Sequence, residues 1–158
     1  MSEGASGERP HLVIRRAAPS ESAALTALAV RSKAHWGYDA AFMQAALSDL
    51  EIPAQIIARA EAHVAERDGA VVGVYVLTVD SGAELRDLWI DPSSIGAGVG
   101  TALWRHMLAT ARARGIRTVA LTSDPHAEGF YARMGARRTG MVASNVNGRM
   151  LQRFEIDT

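Results

Sequence analysis

Three successive β-rich runs in the middle of the chain constrain its fold most strongly. They cover residues 62–67, 70–79 and 83–90. Asp68-Gly69 separates the first two runs, and Ser81-Gly82 separates the second from the third. An Asp-Gly pair between β-rich runs is a strong hairpin signal, because its left-handed backbone conformations match the twist of the flanking strands. The pattern therefore predicts a meander of three neighbouring strands.

Helical and extended patterns flank this meander on both sides. On the N-terminal side the sequence predicts a strand over 11–16, helices from Pro19 and over 39–50, and a short helical piece from Pro53. On the C-terminal side it predicts a helix ending at Gly115, a strand over 117–123, a helix over 124–134 and strands over 136–141 and 150–156. This order is typical of an α/β (α+β) fold with a mixed, largely antiparallel sheet.

Length and composition favour one globular domain. The chain has 158 residues, 48% of them hydrophobic, which is enough to bury a core without covalent staples. Residues 1–10 are polar and glycine-rich and are expected to form a disordered tail, which leaves 11–158 as the domain. The sequence has no cysteine, so disulfides, thiolate catalysis and cysteine-bound zinc are excluded.

The charge pattern argues against several classes of partner. Formal net charge is zero, whereas nucleic-acid binders usually carry a basic face. No signal peptide or run of about 18 apolar residues is present, so we expect a cytoplasmic protein without a membrane partner. The five histidines are scattered at spacings that predict no metal site. Arginines cluster between 105 and 138, where they are either solvent-exposed on helix faces and ends or face a phosphate-bearing ligand.

A glycine-rich loop lies between the last meander strand and the following helix. Its glycines alternate at Gly96, Gly98 and Gly100. Glycines allow close backbone approach, and the free N–H groups of a helix start can bind an anion such as a pyrophosphate. The loop has neither the Gly-Lys-Ser/Thr of a P-loop nor the context of a dinucleotide-binding fingerprint. The alternative interpretation is a simple flexible turn.

Two motifs in this half of the chain resemble those of the GNAT acetyltransferase superfamily. Gly98 and Gly100 take the glycine positions of its acyl-CoA-binding pattern Gln/Arg-x-x-Gly-x-Gly/Ala, with Ile95 where Gln or Arg is usual. Downstream, the segment 130–136 resembles the family's Phe-Tyr-x-x-x-Gly-Phe, with Ala136 replacing the aromatic residue. The resemblance implies a single N-acetyltransferase domain, helices on both faces of the sheet, and two central parallel strands that splay apart.

The resemblance also implies acetyl-CoA as co-substrate and a set of residues that hold it. The backbone of one splayed strand would pair with the pantetheine arm, the glycine loop would hold the pyrophosphate, and Asp124 and His126 would replace a common asparagine contact. The expected donor-binding residues are Trp89, Ile90, Asp91, Ile95, Gly96, Ala97, Gly98, Val99, Gly100, Thr101, Asp124, His126 and Tyr131.

For catalysis, the resemblance points to direct attack of an amine on the thioester, with Tyr131 protonating the leaving thiolate. Tyrosine suits this role, because its usual pKa of about 10 lies slightly above that of a thiol. Glu84 is the leading candidate for the base, and the alternatives are Asp87, Asp124 and His35. Simple strand alternation places Glu84 on the same face as Arg86, Leu88 and Ile90 unless a bulge intervenes.

The acceptor is expected to be a primary amine of a small molecule. The region between the first two helices usually covers the acceptor site in this family, and here it carries three rings. Two arginines could also hold an acceptor carboxylate. The candidate acceptor-binding residues are His35, Trp36, Tyr38, Arg86 and Arg149. Alternatives are a non-catalytic acyl-CoA sensor, a protein N-terminal or lysine acetyltransferase and a nucleotide-binding module; a homodimer is also open.

Overall fold

The computed structural model describes residues 11–158, so the tail predicted over 1–10 lies outside the described residues. The strands are β1 (Leu12–Arg16), β2 (Glu61–Arg67), β3 (Ala70–Thr78), β4 (Glu84–Ile90), β5 (Thr118–Ser123), β6 (Arg137–Ala143) and β7 (Met150–Asp157). The helices are α1 (Ser22–Ala34), α2 (Ala40–Leu50), α3 (Ala54–Arg59), α4 (Val99–Ala113) and α5 (Glu128–Arg133). Short 3-10 turns precede α1, α4 and α5 at Pro19–Glu21, Pro92–Ser94 and Pro125–Ala127. Each predicted element is present.

The strands form a seven-stranded sheet in the order β1-β2-β3-β4-β5-β7-β6. Neighbouring strands are antiparallel except β4 and β5, which are parallel. The predicted meander is confirmed as β2-β3-β4. Asp68 and Gly69 between β2 and β3 both have positive φ, 52° and 78°, as a tight hairpin turn with the strands' own twist requires. The mixed, mostly antiparallel fold class is therefore confirmed.

The two parallel strands diverge almost as soon as they meet. Glu84 opposite Ala120 is their one register pair, and the Ala120 N–H donates to the Ala83 carbonyl at 3.0 Å. Beyond this point β4 continues to Ile90 without a ladder to β5. The predicted splay is thus present, and it opens a gap in the centre of the sheet.

Helices cover both faces of the sheet, and each face has its own core. The core under α1, α2 and α3 includes Leu25, Leu28 and Ile57. The core under α4 and α5 includes Leu103, Met107 and Phe154. Among the described residues, no helix is both long enough and apolar enough to cross a membrane.

Gly73 of β3 lets α4 pack closely on the sheet. A Cβ atom at this position would lie 2.8 Å from Leu103 Cδ1 and 3.0 Å from Val99 Cγ1. A side chain here would therefore push the start of α4 away from β3 and β4. This close contact positions the glycine loop against the gap between β4 and β5.

Candidate active site

The glycine loop forms a sharp entry into α4. Gly96 and Gly98 have φ values of 82° and 83°, in the left-handed region that side chains disfavour. Gly98 is the N-cap of α4, and the first helical bond runs from the Ala102 N–H to the Gly98 carbonyl at 3.1 Å. The N–H groups of residues 99–101 therefore have no hydrogen-bond partner within the helix and can bind an anion.

A cavity of about 580 Å³ extends from this loop into the gap beside β4. Ten of the predicted donor-binding residues line it: Trp89, Ile90, Ile95, Gly96, Gly98, Gly100, Thr101, Asp124, His126 and Tyr131. The lining also includes residues outside the predicted set, among them Ser32, Leu88, Phe130 and Arg133. The structure therefore brings the glycine loop and the segment 124–131 together around one space.

Three of the predicted donor-binding residues are placed differently. Val99 is buried in the core under α4, and Ala97 is exposed beside the cavity. The Asp91 carboxylate caps the turn that follows β4, accepting from Ser93 N–H at 3.1 Å, and pairs with Arg31 at 2.9 Å. These side chains shape the loop and do not line the cavity.

The backbone of β4 presents one edge to the gap. Asp91 N–H donates to the Val72 carbonyl at 2.8 Å and so faces β3. Because backbone groups alternate between the two neighbours along an antiparallel strand, the N–H and C=O of Ile90 face the opposite side, toward β5. Ile90, rather than Trp89 or Asp91, therefore offers a free amide within the gap.

Tyr131 reaches the cavity from α5. Its side chain packs beside Trp104 and Phe154, with ring centroids 5.6 and 5.8 Å away. The residue is only 7% exposed and lines the cavity, and its hydroxyl makes no hydrogen bond to the protein within residues 11–158. Burial raises its pKa well above the usual value, and the charges of Asp124 and Asp87 raise it further. Tyr131 is therefore protonated at every ordinary pH.

Asp124 is the centre of a polar cluster next to this cavity. Its carboxylate accepts hydrogen bonds from the His126 N–H at 3.0 Å, from the Tyr38 hydroxyl at 3.0 Å and from Arg149 Nη2 at 3.4 Å, and it pairs with Lys33. Burial alone would raise the pKa of Asp124, but the hydrogen bonds and the Lys33 charge outweigh burial and hold the pKa below its usual value. Asp124 is therefore ionised and already well supplied with donors.

A second cavity of about 200 Å³ lies on the other side of this cluster, beneath α1 and α2. It shares Trp89 and Asp124 with the first cavity. Its remaining lining residues are Lys33, Phe42, Ala46, Asp49, Leu50, Thr122, Ser144, Val146, Arg149 and Leu151. Two separate spaces therefore meet at Trp89 and Asp124.

The predicted acceptor-binding residues divide between these spaces. Trp36 lines the larger cavity and stacks on His126, with ring centroids 4.9 Å apart and planes 5° apart. His35 is exposed and contacts Trp36 edge-on at 5.0 Å, so it supports that ring from outside. Tyr38 and Arg149 belong to the Asp124 cluster, where Arg149 Nη1 donates to the Tyr38 hydroxyl at 3.1 Å.

Arg86 is not brought to either cavity. It pairs with the buried Asp87 carboxylate, and its Nη2 donates to the Glu51 carbonyl at 2.9 Å. Asp87 in turn accepts a hydrogen bond from Trp89 Nε1 at 3.1 Å, and burial raises its pKa. Arg86 and Asp87 therefore anchor the indole that separates the two cavities.

Glu84 also lies outside both cavities. Its carboxylate forms a two-pronged ion pair with Arg153 at 2.5 and 3.2 Å. The register of β3 with β4 skips Arg86, which is a bulge, so the simple alternation expected from the sequence is interrupted. Leu85 consequently shares the core under α4 with Leu88 and Ile90, while Trp89 faces the core under α1.

Lys33 belongs to the site although it was not among the predicted site residues. It is 7% exposed, lines the second cavity and lies 4.9 Å from the Tyr38 ring centroid. The signal was present, because Leu25 and Ala29 on the buried stripe of α1 lead to residue 33 by helical i, i+4 spacing. A lysine on that stripe must bury its charge beside an anion.

Comparison with known proteins defines the class. The family model described as Acetyltransferase (GNAT) family matches residues 23–136, which include α1, the meander, the glycine loop and Tyr131. The chain therefore belongs to the GNAT acetyltransferase family and is an acyltransferase. A 49-residue stretch is 35% identical to serotonin N-acetyltransferase 2, chloroplastic, of Oryza sativa subsp. japonica; it covers 31% of this chain and 24% of that protein.

Solved structures share the fold over nearly the whole chain. A GCN5-related N-acetyltransferase structure from Rhodopseudomonas palustris has a TM-score of 0.77 at 21% identity and covers 94% of this chain and 96% of its own. The PaiA N-acetyltransferase of Thermoplasma acidophilum, solved with coenzyme A, has a TM-score of 0.77 at 16% identity, covering 94% and 99%. At these identities the likeness establishes the fold alone.

Proposed function

We propose that this protein transfers an acetyl group from acetyl-CoA to the primary amine of a small molecule. The observation that carries the proposal is the junction of two cavities at Trp89 and Asp124. The larger cavity begins at the free amides of α4 and ends at Tyr131, as an elongated donor requires. The smaller cavity, at about 200 Å³, is below the roughly 300–1,000 Å³ typical of drug-sized ligands and suits a compact acceptor.

The donor would lie along the glycine loop and the free edge of β4. Its pyrophosphate would accept hydrogen bonds from the N–H groups of residues 99–101, where the helix dipole also favours negative charge. Its pantetheine amides would pair with the edge that Ile90 presents to the gap. The coenzyme A bound to the Thermoplasma protein supports the choice of donor.

The reaction would be a direct attack of the amine nitrogen on the thioester carbonyl. The carbonyl oxygen gains negative charge in the tetrahedral intermediate, and the Ile90 N–H is the free backbone donor placed to stabilise it. The C–S bond then breaks, and the thiolate takes the proton of the Tyr131 hydroxyl. The raised pKa keeps Tyr131 protonated before the reaction, and it also makes the hydroxyl a weaker acid, so the proton moves only as the sulfur gains charge during C–S cleavage.

Neither carboxylate considered as the base is suited to remove a proton from the incoming amine. Glu84, the predicted base, forms an ion pair with Arg153 and lines neither cavity. Asp124 is at the junction, but its lowered pKa makes it a hydrogen-bond acceptor and a weak base. We therefore propose that the acceptor reacts as the free amine and that Asp124 orients it. The nitrogen releases one proton to solvent as the amide forms, and the Tyr131 phenolate left after protonation of the thiolate takes a proton back from solvent.

The test is to follow free-thiol release from acetyl-CoA with a panel of amino acids, polyamines, aminoglycosides and short peptides. Release stimulated by one class of small amine, and reduced strongly in Tyr131→Phe, is the expected result. Release that only peptides stimulate would indicate a protein acetyltransferase instead. Acetyl-CoA binding without release by any amine would identify the chain as an acyl-CoA sensor and refute the proposal.

A further inference from the structure

Two cations line the smaller cavity and share one partly buried carboxylate. Lys33 and Arg149 both bond to Asp124, and Lys33 is 7% exposed. The other carboxylate of the lining, Asp49, is exposed, and its contact with Asn145 Nδ2 is long at 3.5 Å. Because solvent screens Asp49, the inner part of the cavity carries one more positive than negative charge.

Arg149 also has unused hydrogen-bonding capacity. Its Nη1 donates to the Tyr38 hydroxyl, and its Nη2 contact with Asp124 is long at 3.4 Å. Its Nε is buried and has no hydrogen-bond partner in the part of the chain that the structure describes. Nε and Nη2 form one edge of the planar guanidinium, and that edge matches the two oxygens of a carboxylate.

Two aromatic rings support the guanidinium in addition to its long contact with Asp124. Its central carbon lies 4.8 Å from the Phe42 ring centroid and 5.3 Å from that of Tyr38. These stacking contacts allow the guanidinium to turn in its own plane toward the cavity without losing its support. A carboxylate entering the cavity would give Nε a partner and balance the excess charge.

The rest of the lining is apolar and limits what the acceptor can carry besides a carboxylate. Its apolar members are Phe42, Ala46, Leu50, Trp89, Val146 and Leu151. A second charged or strongly polar group on the acceptor would lose hydration against these side chains. The remaining part of the acceptor is therefore expected to be a short hydrocarbon group.

We propose that the acceptor is an amino acid with a short apolar side chain, whose carboxylate binds between Arg149 and Lys33. This inference rests on the proposed function for the identity of the reacting amine. The carboxylate would occupy the cationic end of the smaller cavity, the side chain would lie on the apolar lining, and the amine would point to the junction at Trp89 and Asp124.

The test compares leucine with isopentylamine, which is leucine without its carboxylate. Binding of each to the protein saturated with coenzyme A is measured by titration calorimetry, so that the result does not depend on turnover. Leucine is expected to bind about tenfold or more tightly, since a charged hydrogen-bonded pair is gained. Equal binding, tighter binding of isopentylamine, or binding of neither would overturn the inference.

Substitutions test which residues cause the preference for leucine over isopentylamine. Arg149→Met and Lys33→Met are each expected to remove most of the preference for leucine, and Arg149→Lys to retain part of it. Arg137→Met is the matched control, because Arg137 forms ion pairs with Glu155 and Asp157 at the far edge of the sheet. Protection from thermal unfolding by acetyl-CoA verifies that each variant is folded. A preference that survives both methionine variants would refute the assignment.

This design separates the inference from the proposed function. If leucine binds preferentially but no acetyl group is transferred, the carboxylate site is supported and the proposed reaction is refuted. If acetyl transfer proceeds to isopentylamine as readily as to leucine, the reaction is supported and the carboxylate site is refuted.

Discussion

Two buried tyrosines give this protein a matched pair of substitutions with opposite expected effects. Tyr131 lines the larger cavity, and its hydroxyl makes no hydrogen bond to the protein within residues 11–158. Tyr75 on β3 is fully buried and lines neither cavity. Its hydroxyl bonds to His106 Nδ1 at 2.7 Å and to Thr110 Oγ1 at 3.1 Å. Removing one oxygen atom from each therefore tests catalysis and stability separately.

For Tyr131→Phe we expect a large loss of rate with little loss of stability. A positioned general acid contributes about 10²- to 10⁴-fold to rate, so kcat should fall by that factor. No protein hydrogen bond is lost, so the free energy of unfolding should change by less than about 0.5 kcal/mol. The affinity for acetyl-CoA should change little, because the phenyl ring keeps its contacts with Trp104 and Phe154.

For Tyr75→Phe we expect the reverse. The substitution removes two hydrogen bonds and leaves His106 Nδ1 with only its long contact of 3.4 Å to Thr110 Oγ1, which should cost about 1–3 kcal/mol of unfolding free energy. Rate should be unchanged within about threefold, since the cluster lies away from both cavities.

The assay pairs initial rates of thiol release at saturating acetyl-CoA with urea unfolding followed by circular dichroism. A kcat for Tyr131→Phe within about threefold of wild type would show that Tyr131 is not the acid. A fall in rate accompanied by a stability loss as large as that of Tyr75→Phe would indicate a packing role instead. Either result would refute the reasoning from the unpaired hydroxyl.

Three further predictions follow from the loop and the junction. Gly98→Val forces a β-branched residue into the left-handed region at φ 83°, so it should cost about 1–2 kcal/mol of stability and weaken acetyl-CoA binding in a thermal-shift titration. Glu84→Gln should leave kcat within about threefold, while Asp124→Asn should lower kcat/KM at least about tenfold; equal effects would show that the position of Glu84 has been misjudged. Because folding lowers the pKa of Asp124, the ionised carboxylate stabilises the folded protein at pH values above its unfolded pKa of about 3.9, and this stabilisation is lost as pH falls through the lower folded pKa. The urea midpoints of wild type and Asp124→Asn should therefore converge as pH falls below about 4.

The fold and much of the lining of the larger cavity were predictable because their signals are local. Asp68-Gly69 specifies its own turn, and the glycines at 96 and 98 specify their own backbone conformation. Tyr131 was found because it belongs to a short motif with fixed spacing. Each of these features depends on neighbours within a few residues, which a single sequence displays directly.

The junction was less predictable because distant segments assemble it. Lys33 and Asp124 are 91 residues apart in sequence, and no spacing rule links them. The bulge at Arg86 depends on the register of two strands, which composition does not determine, yet it decides which β4 side chains face which core. The positions of the Glu84 and Arg86 side chains therefore depend on strand pairing rather than on residue type.

The single register pair between β4 and β5 has a consequence for cooperativity. Glu84 opposite Ala120 leaves the sheet as two ribbons, β1–β4 and β5–β7–β6, joined mainly by side chains of the core under α4. A ligand whose own amides hydrogen-bond across the gap between β4 and β5 would connect the two ribbons. Its binding should therefore slow hydrogen exchange along the edge of β4 that faces β5 and make the two ribbons unfold together, rather than stabilise all parts of the chain equally.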